Sequence, residues 1–428
     1  MADTAELKAG VKSIEITPPL GGELSGYGLY LGRKSQHIRR PLYAKALVLQ
    51  QAETRVALIT ADLLAVSTEI TERTRAAVAA ATGIPPDNVL IACSHTHSGP
   101  ATIFLRGCGD VDSDYVALLP RYFTTAVIEA VAALEERSVY ASQTTLTGLA
   151  KNRVDPAGAV DTTVQALEFV RLGARQDYVL FSFSCHPVST HSTDTGIDSD
   201  FTGVAQSLIQ RANYDEVLFL QGSCGDINPV LAHEEEEARC GQMLAGAALV
   251  AMAQSQEVEE IAPLRCLRRT IELPLHILTR EELEQRRDAN RALLAEHPAD
   301  SREGRTARFW VETTENLLNQ LSGGDVRRTL PCELQAVRIG DIALIAHPTE
   351  LFAEFGMEIK ARSPFPHTFV VGYANNFLGY IPNEADYARR GYAADMVPFL
   401  LDLFPYTPNI GRVFVEECVR LLNDLHES

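Results

Sequence analysis

The chain has 428 residues, 46% of them hydrophobic and 22% charged, with a formal net charge of −18 at pH 7. That much apolar sequence is enough for a large packed core, and the acidic balance excludes general affinity for nucleic acid or an anionic membrane surface, since both need a basic footprint. The start of the chain, Met1 to Lys8, has neither a basic region nor an apolar stretch, so a signal peptide is not expected and a cytoplasmic location is. The longest apolar run, around Met243 to Ala253, is too short to insert through a bilayer. Eight scattered cysteines with no C-x-x-C pair read as reduced, buried small hydrophobes.

Taken in order, Gly10 to Pro19 reads as a short strand closed by a proline turn, followed by a glycine-rich loop from Gly21 to Gly32. Tyr43–Leu49 and Arg55–Asp62 are two buried strands, and Thr68–Ala81 is an amphipathic helix leading to a strand at Val89. Asp114–Glu136 has apolar residues at helical spacing, and Asp177–His186 is a strand ending in a histidine. Phe201–Arg211 reads as a helix, Glu216–Gln221 as a strand running into a tight turn at Gly222–Pro229, and Glu234–Gln254 as a helix. Thr279–Leu321 is polar and broken near His297-Pro298, which predicts a helical hairpin standing on the surface as an insertion over about 279–325. Such an excursion can shape a pocket mouth or a homo-oligomer contact, or be a solvated hairpin. Asp341–Glu350 is a strand entering a helix with Glu350 in the first turn, Thr368–Asn376 a further strand, and Val413–Leu425 a closing helix. No repeat or linker divides the chain, so the expected fold is one large α/β domain with a mixed β-sheet core, helices on both faces and the hairpin insertion. Sites in such domains collect at the C-terminal ends of strands.

The apolar run Val89–Ala92 ends in Cys93-Ser-His-Thr-His-Ser-Gly-Pro100. On a strand, residues two apart share a face, so His95 and His97 would project together, which suits a metal ion. Other strand ends add His186, Asp226 with Asn228, and Glu350, and a further segment adds Tyr380. Two imidazoles, a carboxylate and another oxygen donor suit a zinc ion, which activates water and polarises carbonyls. Spacing alone does not choose among these residues. His186 has a structural alternative, and Glu350 could simply stabilise a helix N-terminus.

Ser94-His-Thr-His-Ser-Gly-Pro100 resembles the signature of the neutral ceramidase family, and the resemblance continues in order through most of the chain. Gly10–Pro18, Leu42–Ala46, Asn152-Arg153, Cys185–Pro187, Ser199-Asp200, Gln221–Pro229, His347–Glu350 and Gly379-Tyr380 with Tyr387 and Tyr392 all match segments of that family. The resemblance implies one zinc ion bound by His95, His186, Glu350 and Tyr380, with His97, Arg153 and Tyr392 near a scissile amide. A second ion through His97, Asp62 or Asp226 is a variant of this expectation. Arg153 can hold an oxyanion, Tyr392 can donate to a tetrahedral intermediate, and His97 can shuttle a proton or orient water.

This sequence departs from the family in three ways. Asn228 stands where the family has its active-site serine, and an amide is no nucleophile, so attack falls to water activated at the metal. Asn228 is then an oxyanion donor, and Asp226 a base or a partner that orients the site. Within these 428 residues no counterpart of the larger ceramidases' immunoglobulin-like domain is expected, nor a leader or a membrane-facing surface. These departures move the expected substrate from ceramide to a soluble small molecule carrying an amide, ester or lactone. Two alternatives remain: a metal-dependent isomerase, epimerase or lyase acting on a sugar-like or hydroxy-acid substrate, and a non-catalytic binding module.

Overall fold

A computed structural model describes residues 6–171, 177–230, 236–259, 261, 263–324 and 326–428. Three sheets carry the architecture, and each contains one parallel strand pair whose strands are connected through a helix. In the first sheet the spatial order is Val89–Cys93, Thr54–Ala61, Tyr43–Gln51, Lys8–Glu15 and Glu135–Glu136. Tyr43–Gln51 and Thr54–Ala61 form an antiparallel hairpin, while Thr54–Ala61 and Val89–Cys93 run parallel, linked through the helix Thr68–Thr82. That helix starts where the Ser67 side chain accepts a hydrogen bond from the Ile70 N–H, a standard N-cap.

The second sheet runs Glu216–Gln221, Tyr178–Phe183, Thr163–Val170, Ser138–Thr145 and Gln256–Glu257, with its first two strands parallel and joined through the helix Asp200–Arg211. The third runs Leu264–Pro274, Thr329–Ile339, Ile342–Ala346 and His367–Val371, with the last two parallel and the helix Ala353–Arg362 between them. Parallel strands buried on both faces should be nearly continuous apolar runs, as Val89–Cys93 and Ile342–Ala346 are, and as Tyr178–Phe183 is but for the buried Ser182. Leu47, Leu49, Leu167, Leu180, Val337, Leu344 and Phe369, drawn from all three sheets, share one apolar cluster. The helices bury Val78, Phe123, Phe201, Leu244, Ile359 and Phe414 in a second cluster with residues from the sheets' other faces.

The expected mixed α/β fold is therefore present, with differences in detail. The helix expected over Asp114–Glu136 spans Ser113–Ala132, because Glu135–Glu136 pairs with Lys8 and Ala9 instead. The helix expected from Glu234 is described from Glu236 to Met252; residues 234 and 235 lie outside the described residues. Ser138–Thr145, Thr163–Val170, Leu264–Pro274 and Thr329–Ile339 are strands that the sequence reading left unassigned. The hairpin forms as Arg280–Glu296 and Arg302–Gly323, opened by a capping box between Thr279 and Glu282. It is half embedded rather than standing clear. Phe309, Leu317 and Leu318 are buried, and the Arg286 guanidinium lies 4.5 Å from the Trp310 ring centre and 4.9 Å from that of Phe399. Among the described residues, no helix is long and apolar enough to cross a membrane.

Candidate metal centre

The C-terminal ends of the three parallel pairs meet at one place. His95 and His97 come from the first sheet, but not by strand alternation: the strand ends at Cys93, and His95 has a left-handed φ of 67°. The turn is pinned where the Ser94 N–H donates to Ala61 O and the His95 N–H to Leu63 O, both at 2.9 Å. Its bend still brings the two rings together, with Nε2 atoms 3.2 Å apart. His95 Nδ1 is 2.9 Å from Leu64 O. A carbonyl only accepts, so Nδ1 carries the ring proton and Nε2 presents a bare lone pair.

The second sheet supplies His186, three residues beyond Tyr178–Phe183, with Nδ1 3.1 Å from Ile227 O and hence the same tautomer. Glu350 and Tyr380 come from the third. Glu350 does not begin a helix; Glu350–Leu351 is a two-residue strand paired in parallel with Tyr380–Ile381, and this register sets the two expected ligands side by side. The carboxylate at the N-terminus of the following helix is Asp226, whose Oδ1 accepts from the Ala353 N–H at 2.8 Å. Gly225 permits that approach, because a Cβ there would stand 2.5 Å from Glu350 O.

Glu350 Oε2 lies 3.0 Å from His186 Nε2 and 3.3 Å from His95 Nε2, and Tyr380 Oη lies 3.5 Å from His186 Nε2. Donor atoms of His95, His97 and His186 all lie within 4.8 Å of one another. Burial first, then Arg153, pushes His186 down to about 4, and burial first, then His95 and His186, holds His97 well below its usual range. For Glu350, burial raises the pKa, but His95 and His186 outweigh it and hold the group below the ordinary carboxylate range. A lowering of that sign needs positive charge beside Glu350, and with the ring N–H of His95 and of His186 turned to backbone carbonyls, a cation between the carboxylate and the imidazole nitrogens would supply it. Acceptors this close repel unless a cation lies between them, so the donor set fits a divalent metal.

Arg153 flanks the centre. Its Nη2 donates to Tyr380 Oη at 2.7 Å and to Gly225 O at 2.8 Å, and its Nη1 to Asn228 Oδ1 at 3.3 Å. Burial works against its charge, but Tyr380 and Glu350 hold its pKa above the usual value. Asp226 is spoken for, since its second oxygen accepts from Asn152 Nδ2 at 2.6 Å. Asp62 accepts from the Tyr43 N–H at 3.0 Å and, like Asp226, is outside the histidine cluster. Tyr392 is 52% exposed, and its ring meets that of Tyr380 edge-on with centres 6.0 Å apart.

Sequence reasoning missed two aromatic neighbours. Tyr27, in the glycine-rich loop, packs against the His97 ring at 5.1 Å, and Tyr373 stacks on His95 at 3.9 Å. The available signals were the glycines around Tyr27 and the turn-forming Ala374-Asn375-Asn376 after a strand. A cavity of about 720 Å³ is lined by Arg286, Tyr387, Asp395 and Tyr406, and none of the site histidines lines it.

The model of a family described as neutral/alkaline non-lysosomal ceramidase, N-terminal, matches residues 7–248. Among solved structures, the chain is similar to the neutral ceramidase from Pseudomonas aeruginosa with a TM-score of 0.76 at 19% identity, covering 99% of this chain and 75% of that one. It is also similar to a ceramidase complexed with C2, with a TM-score of 0.75 at 18% identity, covering 99% of this chain and 76% of that one. At these identities the likeness to the solved structures is one of fold. No curated protein matches the chain.

Proposed function

The chain belongs to the neutral/alkaline non-lysosomal ceramidase family, and from that premise we propose that it is a zinc-dependent hydrolase cleaving an amide, ester or lactone bond in a soluble small molecule. One observation carries the reading: the Nε2 atoms of His95 and His186 converge on Glu350 Oε2 at 3.3 and 3.0 Å beside a guanidinium. Bound by His95, His186, Glu350 and Tyr380, zinc would polarise the substrate carbonyl and lower the pKa of water.

The chain's own residues account for the rest. The His97 ring faces the centre through Nε2, 3.2 Å from His95 Nε2, and its depressed pKa leaves it neutral, placed to orient water and relay a proton to the leaving group. Arg153 and Tyr392 stabilise the developing oxyanion. Arg153 occupies Asn228 Oδ1, which leaves the Asn228 amide N–H groups as a further donor. Asp226, held by Ala353 and Asn152, orients this corner rather than moving protons. The absence of a nucleophilic atom at Asn228 supports direct attack by water. The proposed setting is cytoplasmic, with no nucleic-acid partner, as the net charge of −18 supports.

The test is metal analysis of purified protein with a screen of acyl amides, esters and lactones, long-chain ceramide included, with and without chelator. Near-stoichiometric zinc and chelator-sensitive turnover of soluble substrates are expected. Protein without zinc, whose activity zinc does not restore, refutes the hydrolase reading, and efficient ceramide turnover refutes the soluble substrate. Reaction in oxygen-labelled water separates hydrolysis, which places solvent oxygen in the product, from isomerisation, which does not require it.

A further inference from the structure

We propose that Tyr373 is a positioning residue for the metal centre, its ring fixing the plane of the His95 imidazole and its hydroxyl holding Glu350. This rests on the reading of the site as a metal centre and adds a residue to it. The Tyr373 and His95 rings are stacked 3.9 Å apart with an angle of 22° between their planes. The Tyr373 hydroxyl lies 3.4 Å from Glu350 Oε2, the oxygen that also faces His95 and His186, and 3.1 Å from Cys224 Sγ. Both histidines have spent their ring N–H on backbone carbonyls, so they offer this carboxylate no proton. The phenol does, and the Cys224 thiol can donate in turn to the phenol oxygen, which makes a relay from thiol through hydroxyl to carboxylate.

The backbone points the same way. Tyr373 has a φ of 55°, a left-handed conformation that a bulky side chain seldom adopts and that persists only where its surroundings impose it. Asn375 is left-handed as well, with a φ of 62°. The segment is tied to the strand that delivers His95. The Cys93 N–H donates to Tyr373 O at 3.1 Å, Ala374 bridges Ala92, and Asn375 Oδ1 accepts from the Ile91 N–H at 2.9 Å. An aromatic that merely fills the core needs no left-handed backbone and no placement against two proposed ligands from different sheets. Tyr373 is fully buried, so it does not touch substrate.

The experiment compares zinc affinity, by chelator competition, and the visible spectrum of the cobalt-substituted protein for wild type, Tyr373→Phe and Tyr373→Leu. Tyr373→Phe keeps the stack and loses the hydroxyl; zinc affinity is expected to fall about 10- to 100-fold, with a shifted cobalt spectrum and a melting temperature of the metal-free protein within about 3 °C of wild type. Tyr373→Leu, which also frees the His95 ring, is expected to lose more. Wild-type affinity with an unchanged spectrum in Tyr373→Phe overturns the proposal. Should that variant not fold, Cys224→Ala breaks the same relay from its outer end: a several-fold loss of affinity supports it, and wild-type affinity there overturns it. A wild-type protein that binds neither ion fails the metal-centre reading itself, a result distinct from failure of the Tyr373 role.

Discussion

Arg153 is a cation whose donors are aimed at a phenol oxygen, a carbonyl and a side-chain amide in three directions. A guanidinium does this as a planar fork, whereas an ammonium on a flexible stem makes one point contact. With zinc kept saturating, because the lost bond to Tyr380 also weakens metal binding, Arg153→Met is expected to cut kcat about 10²- to 10³-fold by removing a donor for the oxyanion. Arg153→Lys is expected to recover little of that loss. Steady-state kinetics with metal analysis of the same samples checks both, and a lysine variant at full activity contradicts the fork argument. The sequence exposed such residues unequally. His95, His186 and Tyr380 stand out through an ordered set of motifs, because no local pattern links segments that meet only after three sheets assemble. Glu350 is expected in the first turn of a helix but lies in the two-residue strand Glu350–Leu351. The Pro-Thr-Glu run looks like a helix start, but the carboxylate at that start, Asp226, comes from a turn more than 100 residues away in sequence, a separation of |i−j|=127 from Ala353. Tyr373 left little trace, since a left-handed tyrosine has no signature short of the structure itself.

Among elements, the glycine-rich loop has the most direct hold on the chemistry. Gly26 has a φ of 101°, and a Cβ there would stand 2.6 Å from His97 Cγ and Nδ1, so the backbone rests against the imidazole. Tyr27 adds its ring to the same histidine and donates its hydroxyl to Thr190 O at 2.8 Å, while Tyr30 donates to Glu312 of the hairpin at 2.7 Å. Gly26→Ala forces the loop away from His97 and strains the backbone, at a cost of about 1–3 kcal/mol. The expected result is at least a tenfold fall in kcat/KM with zinc affinity within a few-fold of wild type, because the proposed ligands are not displaced. A Gly26→Ala enzyme with unaltered kinetics shows that His97 needs no cover. The hairpin itself was legible from its polar helices and the break at His297-Pro298, but its embedding was not. Arg286 sits over Trp310 and pairs with Asp395 at 2.9 Å, contacts that depend on residues far along the chain. The unassigned strands fail for a related reason. Ser138–Thr145 and Leu264–Pro274 mix exposed polar with buried apolar residues and bury one face against other sheets, so neither shows the nearly continuous apolar run that marks the parallel strands.

At the scale of the whole molecule, the histidine turn is tied to the rest through buried carboxylates. Asp198 N donates to Ser98 O at 2.9 Å, and its carbonyl accepts from Thr96 Oγ1 at 2.7 Å, while its carboxylate takes two bonds from Arg40 at 3.0 and 2.8 Å. Arg40 also pairs with Glu237 at the start of the helix Glu236–Met252. Asp200, beside them, accepts from the Ser189 N–H at 3.1 Å. Burial first, then Asp198 and Asp200, raises Glu237 to about 8, and burial chiefly raises Asp200 to about 6. Burial and the neighbouring carboxylates thus favour a proton on Glu237, and Arg40 and Arg39 offset only part of the remaining charge. A raised carboxyl pKa means that the folded state holds a proton that the unfolded chain has already lost. The stability it confers is present at low pH and declines as pH rises from the ordinary carboxylate range toward about 8. Asp194 and Asp161, whose pKa values are lowered, work in the opposite sense only as pH falls toward their own lower values, outside this window. The buried imidazoles of His97, His186 and His347, whose pKa values are lowered, add stability as pH rises through about 6 to 7, so the Glu237 contribution is read against Glu237→Gln: the melting temperature of the metal-free protein relative to that variant is expected to fall by a few °C as pH rises from about 6 to about 8. Glu237→Gln mimics the protonated side chain, so its melting temperature is expected to lie near that of wild type at about pH 6 and to decline less steeply as pH rises toward about 8. Parallel curves for the two proteins would place the pH sensitivity elsewhere, whereas a flatter curve for the variant ties the stability of the histidine turn to the proton held on Glu237, beyond Asp198.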